Sequence, residues 1–197
     1  EKQLNEKGLH IVSTNWIYGD RQLIASKPVT KPEDLKGMKI RVPNNKLAIE
    51  TLNAMGAVAT PMPTADVYPS VIQGIIEGME NPLPVIYGTK VQEKLKYISK
   101  TAHMKMITQW IAGQKFIESL PEDIRQILKE TADEAGEYNN QIVEESAQKT
   151  IADLEKEGVQ FVEVDMNAFK ESVKGVYNQF PEWTPGLYDK IQELIKN

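Results

Sequence analysis

Residues 39–44 of the chain read Lys-Ile-Arg-Val-Pro-Asn, and this short stretch decides the fold that the sequence predicts. Ile40 and Val42 alternate with charged neighbours, which is the pattern of a short, half-buried strand. Pro43 ends the strand because proline has no backbone N–H to donate to a neighbouring strand. Arg41 therefore lies near a strand end, where open α/β sheets place ligand-binding groups. A guanidinium group suits a carboxylate, although a surface arginine on an edge strand would give the same local pattern.

Strand and helix patterns alternate on both sides of this stretch. They predict strands at residues 9–13, 21–26, 58–62 and 97–107, an aromatic-rich turn at 16–20, and helices at 46–55, 66–76 and 84–95. Gly56 is expected to cap the first of these helices at its C-terminus. This alternation predicts an α/β layer with a mostly parallel sheet.

A long helix follows in the second half of the chain. Apolar residues recur at steps of three or four from residue 122 to 157, which at 1.5 Å per residue gives a helix of about 54 Å. Gly136 or the pair Asn139-Asn140 would be the place for a bend. A strand at residues 159–164 and helices at 166–180 and 187–195 complete the prediction.

Composition and motifs exclude several classes of function. The 197 residues carry a net charge of −5 and no cysteine, which argues against nucleic-acid binding and excludes thiolate chemistry. No apolar run approaches the roughly 20 residues that a membrane span needs. His10 and His103 are far apart, so neither a metal site nor a cofactor site is predicted. Glu77 and Glu80 are the one conceivable acid/base pair, but solvated loop carboxylates are the simpler interpretation.

The remaining candidates form a recognition set. Arg21 and Arg41 are predicted on neighbouring strands, and Asn81 lies in a turn held by Pro82. Two cations and an amide suit a small organic anion with hydroxyl or keto groups. Arg21 as an ion-pair partner at a hinge, and Asn81 as the cap of the following helix, are the structural alternatives.

Longer motifs give the chain a family resemblance. They read Glu-Asp-Leu-Lys-Gly-Met-Lys-Ile-Arg-Val-Pro-Asn at 33–44, Met-Gly-Ala at 55–57, Thr-Pro-Met-Pro at 60–63, Asp-Val-Tyr at 66–68, Gly-Met-Glu-Asn-Pro at 78–82, Lys-Tyr-Ile at 96–98 and Ser-Leu-Pro-Glu-Asp at 119–123. Over essentially its whole length, the chain resembles the DctP-type solute-binding proteins of TRAP (tripartite ATP-independent periplasmic) transporters. The resemblance implies a periplasmic-binding-protein-like α/β lobe with a long bracing helix.

The resemblance also implies roles for single residues. Arg41 would pair with the ligand carboxylate, Arg21 would be a second anion contact, and Asn81 would contribute specificity. Thr64 stands where many members carry an aromatic residue against the ligand, which implies a roomier or more polar pocket. Trp16 completes the set of ligand-binding candidates, as a residue of the core or of the cleft wall rather than a specific contact.

The resemblance further implies how the chain is divided. Residue 1 matches a point inside the family sequence, so roughly a hundred residues, a small domain, are expected to precede it. Residues 1–106 would form the second ligand-binding lobe, 107–146 a segment returning to the incomplete first lobe, and 147–197 a return to the second. Apolar surface exposed on the returning segment would favour a non-native dimer.

The resemblance implies a function in transport. We expect a periplasmic or extracytoplasmic solute-binding subunit that captures a small carboxylate and delivers it to the permease of a TRAP transporter, with no catalytic residues. An enzyme that uses Glu77 or Glu80 on a sugar or acid, and a domain that presents its ligand to a sensor protein, are the alternatives.

Overall fold

The structure, a computed structural model, describes residues 2–195 of the chain. The strands are β1 (Leu9–Ala25), β2 (Lys39–Val42), β3 (Val58–Pro61), β4 (Gly78–Asn81), β5 (Tyr97–Gly113) and β6 (Gln160–Val162). The α-helices are α1 (Lys2–Asn5), α2 (Lys46–Ala54), α3 (Val67–Ile72), α4 (Leu83–Gly88), α5 (Gln114–Ser119), α6 (Glu122–Lys156), α7 (Met166–Val173) and α8 (Leu187–Ile195). No helix within residues 2–195 combines the length and the apolar character that a membrane span requires.

One six-stranded sheet in the order β3-β2-β4-β1-β5-β6 organises the chain. The pairs β2–β3, β2–β4 and β5–β6 are parallel, whereas β1 runs antiparallel to both β4 and β5. The predicted α/β class with a mostly parallel sheet is therefore confirmed. Its longest pairing, between β1 and β5, is nevertheless antiparallel.

The predicted aromatic turn at residues 16–20 is wrong, because β1 continues through it from Leu9 to Ala25. Irregular register with β5 explains the error. The pairing shifts between Ile11 and Ser13, again before Trp16, and again around Gly19. Each bulge adds an unpaired residue and breaks the alternation of apolar and polar side chains that identifies a strand in a sequence.

Apolar side chains cover both faces of the sheet. One buried cluster contains Leu23 and Ile40 together with side chains from α2 and α7, and the opposite cluster contains Ile24 and Met79 together with side chains from α3 and α4. The sheet is thus buried on both faces in its central part, as α/β layers require. A third, smaller cluster joins Val12 of β1 to α5 and α6.

Helix α6 confirms the predicted long helix, with 35 residues from Glu122 to Lys156. It crosses β1 where β1 has no strand on its second side, because β4 pairs only with residues 22–25. Asn140 Oδ1 accepts from Ile17 N (2.8 Å), Asn140 Nδ2 donates to Asn15 O (2.7 Å) and Asn139 Nδ2 donates to Ile17 O (3.1 Å). The asparagine pair thus satisfies backbone groups on the free edge of β1.

A glycine permits the close approach of α6 to β1. A Cβ atom on Gly136 would lie 2.2 Å from Asn15 Oδ1, so a side chain here would displace that of Asn15. Asn15 Nδ2 in turn donates to the Asp133 carbonyl (2.8 Å). Gly136 and the asparagine pair, considered above as sites of a bend, are the contact points between the helix and the sheet.

Three other predicted helices are shorter than their patterns indicated. Helix α3 ends at Ile72 and α4 at Gly88, and α7 ends at Val173, before a 3-10 turn at Val176–Gln179. Lys90, with φ of 61°, leaves the right-handed helical region just after α4. Helix α2 keeps its predicted end, because Gly56 adopts φ of +101° immediately after its C-cap residue.

Candidate ligand-binding site

The predicted recognition residues meet at one edge of the sheet. Strands β2 and β4 are parallel neighbours, with Arg41 in register with Met79, so their carboxyl ends lie side by side. Strand β1 enters at the same edge, where Gln22 pairs with Asn81. Strand β4 lies between β2 and β1, so the prediction of neighbouring strands for Arg41 and Arg21 is wrong. The turn predicted around Asn81 is also wrong, because Asn81 is the last residue of β4, whose four buried residues show no alternation that would identify a strand. Two of the three arginines in the sequence therefore lie on the two strands that flank Asn81.

The two arginines project from opposite faces of the sheet. Arg41 shares the face of its register partner Met79, and strand alternation places Asn81 on that face too. Glu80 lies on the other face, where it contacts Arg21. The edge therefore carries two distinct groups of polar side chains, one around Arg41 and one around Arg21.

Arg41 is held along one side of its guanidinium group. It is 3% exposed, and its Nε and Nη2 donate to the Met62 carbonyl at 3.0 and 2.9 Å. Nη2 also donates to Thr64 Oγ1 at 3.2 Å. Among residues 2–195, no hydrogen-bond partner is found for Nη1, which leaves two N–H donors of a fixed guanidinium available.

A cleft lies directly against this arginine. Its volume is about 340 Å³, and it is lined by Arg41, Pro43, Asn44, Pro61, Met62, Pro63 and Thr64. Burial lowers the pKa of Arg41, and the nearby charge of Arg21 lowers it further, whereas the Glu80 carboxylate opposes the shift. Arginine nonetheless stays protonated in proteins, so the cleft presents a positive charge with an open donor group.

Arg21 is fully occupied by a buried ion pair. Its Nη2 donates to Glu80 Oε1 (2.8 Å) and to the Glu80 carbonyl (3.1 Å), and its Nε donates to Glu80 Oε2. Its Nη1 contacts Met106 Sδ at 3.2 Å. Arg21 and Glu80 are 5% and 1% exposed. This geometry resembles the hinge-side ion pair considered for Arg21, and a ligand anion would have to compete with Glu80 for it.

His103 extends this ion pair towards β5. Its Nε2 lies 3.3 Å from Glu80 Oε2, and its Nδ1 lies 2.8 Å from Thr101 Oγ1. Burial alone would raise the pKa of Glu80, but hydrogen bonds from Arg21 and His103 outweigh it and hold that pKa below its ordinary value. Glu80 is therefore a buried carboxylate, which corrects its interpretation as a solvated loop residue.

Asn81 is buried but not satisfied. It is 4% exposed, and its Oδ1 is enclosed without a hydrogen-bond partner among the described residues 2–195. Gln22, opposite it on β1, uses its own side-chain oxygen to accept from Ala102 N (2.9 Å). An unsatisfied buried acceptor costs about 1–3 kcal/mol, so a ligand that donates a hydrogen bond here would recover that cost.

Trp16 lies apart from these groups. It stacks on Trp110, with ring centroids 5.0 Å apart, and its Nε1 donates to Ser13 Oγ at 3.2 Å. It precedes Arg21 by five residues on β1, which corresponds to about 16 Å along a strand. At this edge, Arg41, Thr64 and Asn81 therefore lie on one face of the sheet, and Arg21 lies on the other face. Trp16 lies farther along β1, away from both groups.

Sequence reasoning missed the partners of Arg21. Glu80 and Arg21 are 59 positions apart, and His103 comes from a third strand. The available signal was the sequence Glu80-Asn81-Pro82 at the end of a buried strand, because the adjacent strand β1 carries an arginine.

Within residues 2–195, no group of three or more histidine, aspartate or glutamate side chains is placed to hold a metal ion.

Comparisons with known proteins identify the family to which the chain belongs. The family model DctP, described as bacterial extracellular solute-binding protein, family 7, matches residues 1–182. A TRAP periplasmic solute-binding protein from Ochrobacterium anthropi, solved with bound L-fuconate, is 46% identical with a TM-score of 0.87 over 98% of this chain and 64% of its own. A second TRAP periplasmic solute-binding protein, from Actinobacillus succinogenes with bound L-galactonate, is 41% identical and has a TM-score of 0.88. The match covers 98% of this chain and 64% of that protein.

A curated relative is also a periplasmic binding protein. The 2,3-diketo-L-gulonate-binding periplasmic protein YiaO of Escherichia coli is 33% identical over 86% of this chain and 52% of its own length. The chain spans about half the length of the curated relatives it matches, from 48% to 57% of the first two.

Proposed function

Because the chain belongs to the DctP family of bacterial extracellular solute-binding proteins, family 7, we propose that it captures a small organic acid outside the cytoplasm and delivers it to the membrane permease of a TRAP transporter. The observation that carries the proposal is Arg41. It is a buried, fixed guanidinium whose Nη1 is open at the carboxyl edge of the sheet, next to a cleft. A carboxylate there would gain a charge-assisted hydrogen bond in a partly desolvated position.

The ligand class we propose is a sugar acid. The similar structures hold L-fuconate and L-galactonate, and the curated relative is named for 2,3-diketo-L-gulonate. Each of these compounds combines one carboxylate with several oxygen substituents. The polar Thr64 beside Arg41 suits such a ligand better than an aromatic wall would.

The division of the chain into lobes is part of the same proposal. Residues 1–106 and 147–197 would form one ligand-binding lobe, and residues 107–146 would reach into a second. A separate apolar cluster contains Ile117 and Ala132 of the segment 107–146, which supports a division, but it also contains Val12, so the start of β1 packs with that segment. A second wall of the cleft would then enclose the ligand and strengthen its pairing with Arg41.

The enzymatic alternative finds little support in the geometry. Glu77 precedes β4 and Glu80 lies near its other end, about 10 Å away along the strand. Glu80 is also locked by Arg21 and His103 with its pKa held low, which disfavours it as a general acid. A role in presenting ligand to a sensor protein uses the same binding chemistry and remains the second candidate.

We also propose that the chain on its own associates into a dimer through its returning segment. Large apolar side chains of β5 and α6 are exposed there, among them Ile107 (59%), Ile127 (56%) and Tyr138 (66%). Exposed apolar patches of this kind mark surfaces that pack against other protein. Size-exclusion chromatography with light scattering tests this idea, and a monodisperse monomer at high concentration would contradict it.

Calorimetric titration of small acids tests the main proposal. The panel contains sugar acids, dicarboxylates, keto acids and sialic acid, titrated into the full product of the gene that encodes this chain. We expect binding of at least one sugar acid that Arg41→Ala abolishes and Arg125→Ala, an exposed control on α6, does not. The proposal fails if no acid binds, or if binding is indifferent to Arg41.

A further inference from the structure

We propose that His103 makes capture of the acid sensitive to pH, so that protonation of its imidazole ring strengthens the binding of an anion at Arg41. The inference rests on the proposed function and adds a means of regulation to that same site. It starts from a feature that carboxylate capture leaves unexplained, a histidine buried against an ion pair that is already complete. The His103 side chain is 4% exposed and that of Glu80 is 1% exposed.

His103 and Arg21 share one oxygen atom of Glu80. Arg21 Nε donates to Glu80 Oε2, and His103 Nε2 lies 3.3 Å from the same atom. An ionised carboxylate only accepts hydrogen bonds, so Nε2 carries a hydrogen in either protonation state of the ring. With a neutral imidazole, the negative charge of Glu80 matches the positive charge of Arg21. With an imidazolium, two cations share one carboxylate, and the cluster gains an uncompensated positive charge.

Thr101 allows the ring to exist in both protonation states. Its Oγ1 lies 2.8 Å from His103 Nδ1. The threonine hydroxyl donates to Nδ1 of a neutral ring and accepts from the N–H of an imidazolium, because a hydroxyl group can do either. A fixed donor or a fixed acceptor at this place would favour one state only. The site is therefore built to tolerate a change of charge on the ring.

The backbone of β5 holds the ring in this position through a bulge. The pairing with β1 changes from Arg21–Met104 to Leu23–Ser99, so residues 100–103 lie opposite Gln22 alone. Within this bulge, Ala102 adopts φ of 39°, and its N–H donates to Gln22 Oε1 at 2.9 Å. A residue other than glycine in the left-handed region is uncommon, and such strain clusters at sites that bind or switch.

A cavity beside the ring gives solvent protons access to it. The cavity has a volume of about 590 Å³ and lies between β5, α2, α7 and the segment 182–191. Besides His103, its titratable groups are Lys105, Glu182 and Tyr177. Burial raises the pKa of Tyr177, which keeps its phenol uncharged. Lys105 and Glu182 are exposed and carry opposite charges, and among these residue types only histidine ordinarily changes charge between about pH 5 and 8.

The cluster acts on Arg41 through its charges. Glu80 follows Met79, the register partner of Arg41 on the adjacent strand. The charge of Arg21 lowers the pKa of Arg41 and that of Glu80 raises it, so both charges are felt at the anchor. A further positive charge on His103 therefore favours an anion at Arg41, and a bound anion favours a proton on His103 by the same amount. Affinity for the acid should rise as the pH falls.

Calorimetric titration of the full gene product at pH 5.5 and pH 8 tests the inference. The probe is L-galactonate or, if it binds more tightly, another sugar acid of the panel, since such carboxylates are ionised at both pH values. The unmodified protein should bind the acid about fivefold or more tightly at pH 5.5. Titrations at pH 6.5 in buffers of different ionisation enthalpy should show net uptake of protons. His103→Gln should abolish both effects, whereas His10→Gln, at the other histidine of the sequence, should change neither.

Thr101 gives a second, matched pair of variants. Thr101→Val removes the oxygen that accepts from an imidazolium, so the tightening of binding should require a lower pH. Thr101→Ser retains the hydroxyl and should keep the pH profile of the unmodified protein. A merely structural role of Thr101 would instead change the affinity equally at both pH values.

Other outcomes separate this inference from the proposed function. Equal affinity at the two pH values, tighter binding at pH 8 or pH dependence that persists in His103→Gln would overturn the inference and leave carboxylate capture standing. If no acid binds at any pH, the proposed function fails, and the inference fails with it. If His103→Gln does not fold, NMR of the His103 ring in the unmodified protein replaces it. The midpoint of its titration should move to higher pH when the acid is bound, and an unmoved midpoint would overturn the inference.

Discussion

Arg21 and Arg41 lie at the same edge of one sheet, yet the fold uses them in opposite ways. Every nitrogen of the Arg21 guanidinium has a partner, and its charge is matched by Glu80. Arg41 is held by neutral oxygens on one side only, and its Nη1 is open. A buried cation without a counter-ion is costly, so a protein that keeps one gains most when an anion arrives. The contrast separates a charge that stabilises the fold from a charge kept for a ligand.

The strongest test of this contrast removes the counter-ion of Arg21. Glu80→Gln leaves a buried guanidinium without a matching charge, and we expect the free energy of unfolding to fall by about 3–5 kcal/mol. Urea denaturation followed by circular dichroism measures the change. Glu77→Gln, at the less buried start of β4, should stay within about 0.5 kcal/mol of the unmodified protein. Equal effects of the two substitutions would remove the basis for the contrast.

Removal of Arg41 should produce the opposite pattern. Arg41→Ala is expected to cost about 2–5 kcal/mol of ligand-binding free energy while changing stability much less, because no buried carboxylate loses its partner. Calorimetric titration with the best sugar acid gives the affinity, and urea denaturation gives the stability. If Arg41→Ala unfolds the protein as severely as Glu80→Gln does, both arginines are structural.

A substitution on α6 should disturb the strand that carries Arg21 without touching the Arg41 cleft. A Cβ atom at Gly136 would overlap Asn15 Oδ1, so Gly136→Ala should destabilise the protein by about 1–3 kcal/mol. Affinity for the acid should change little, since the crossing joins α6 to β1, whereas Arg41 of β2 and Pro61 of β3 line the cleft. Ala132→Gly, one turn earlier, is the control for helix propensity, with an expected loss of about 1 kcal/mol from propensity plus a small loss of packing. A Gly136→Ala protein as stable as the unmodified one would show that the Asn15 side chain can give up its place between β1 and α6 at no cost.

Lowering the pH should produce the smallest of these effects. The pKa of folded Glu80 lies below its ordinary value of 4.5, because hydrogen bonds from Arg21 and His103 outweigh the effect of burial. Its contribution to stability is therefore complete above the unfolded pKa and is lost as the pH falls from there through the folded pKa. One titrating group changes the free energy of unfolding by at most about 1.4 kcal/mol per pH unit. Urea midpoints measured from pH 7 to pH 3 should fall more steeply for the unmodified protein than for Glu80→Gln.

The parts of the fold that short-range patterns encode were predicted correctly. The strand around Arg41, its end at Pro43 and the α6 periodicity are local signals, and they were predicted correctly, whereas the predicted turn around Asn81 is the buried strand β4. The continuity of β1 was missed because its bulges interrupt alternation. The Glu80 ion pair was missed because its members come from three strands, and no local pattern reports which side chains a fold brings together.

The crossing of α6 over β1 has a consequence for how this protein can change during evolution. The amides of Asn139 and Asn140 bind main-chain atoms of residues 15 and 17, not their side chains. Every amino acid except proline offers the same N–H and C=O groups. Substitutions at Ile17 therefore leave these hydrogen bonds available, while the geometric demands fall on the helix. The join between the two elements therefore tolerates substitution at Ile17 and resists it at Gly136, Asn139 and Asn140 on the helix, whereas Asn15 on the strand also contributes its side chain.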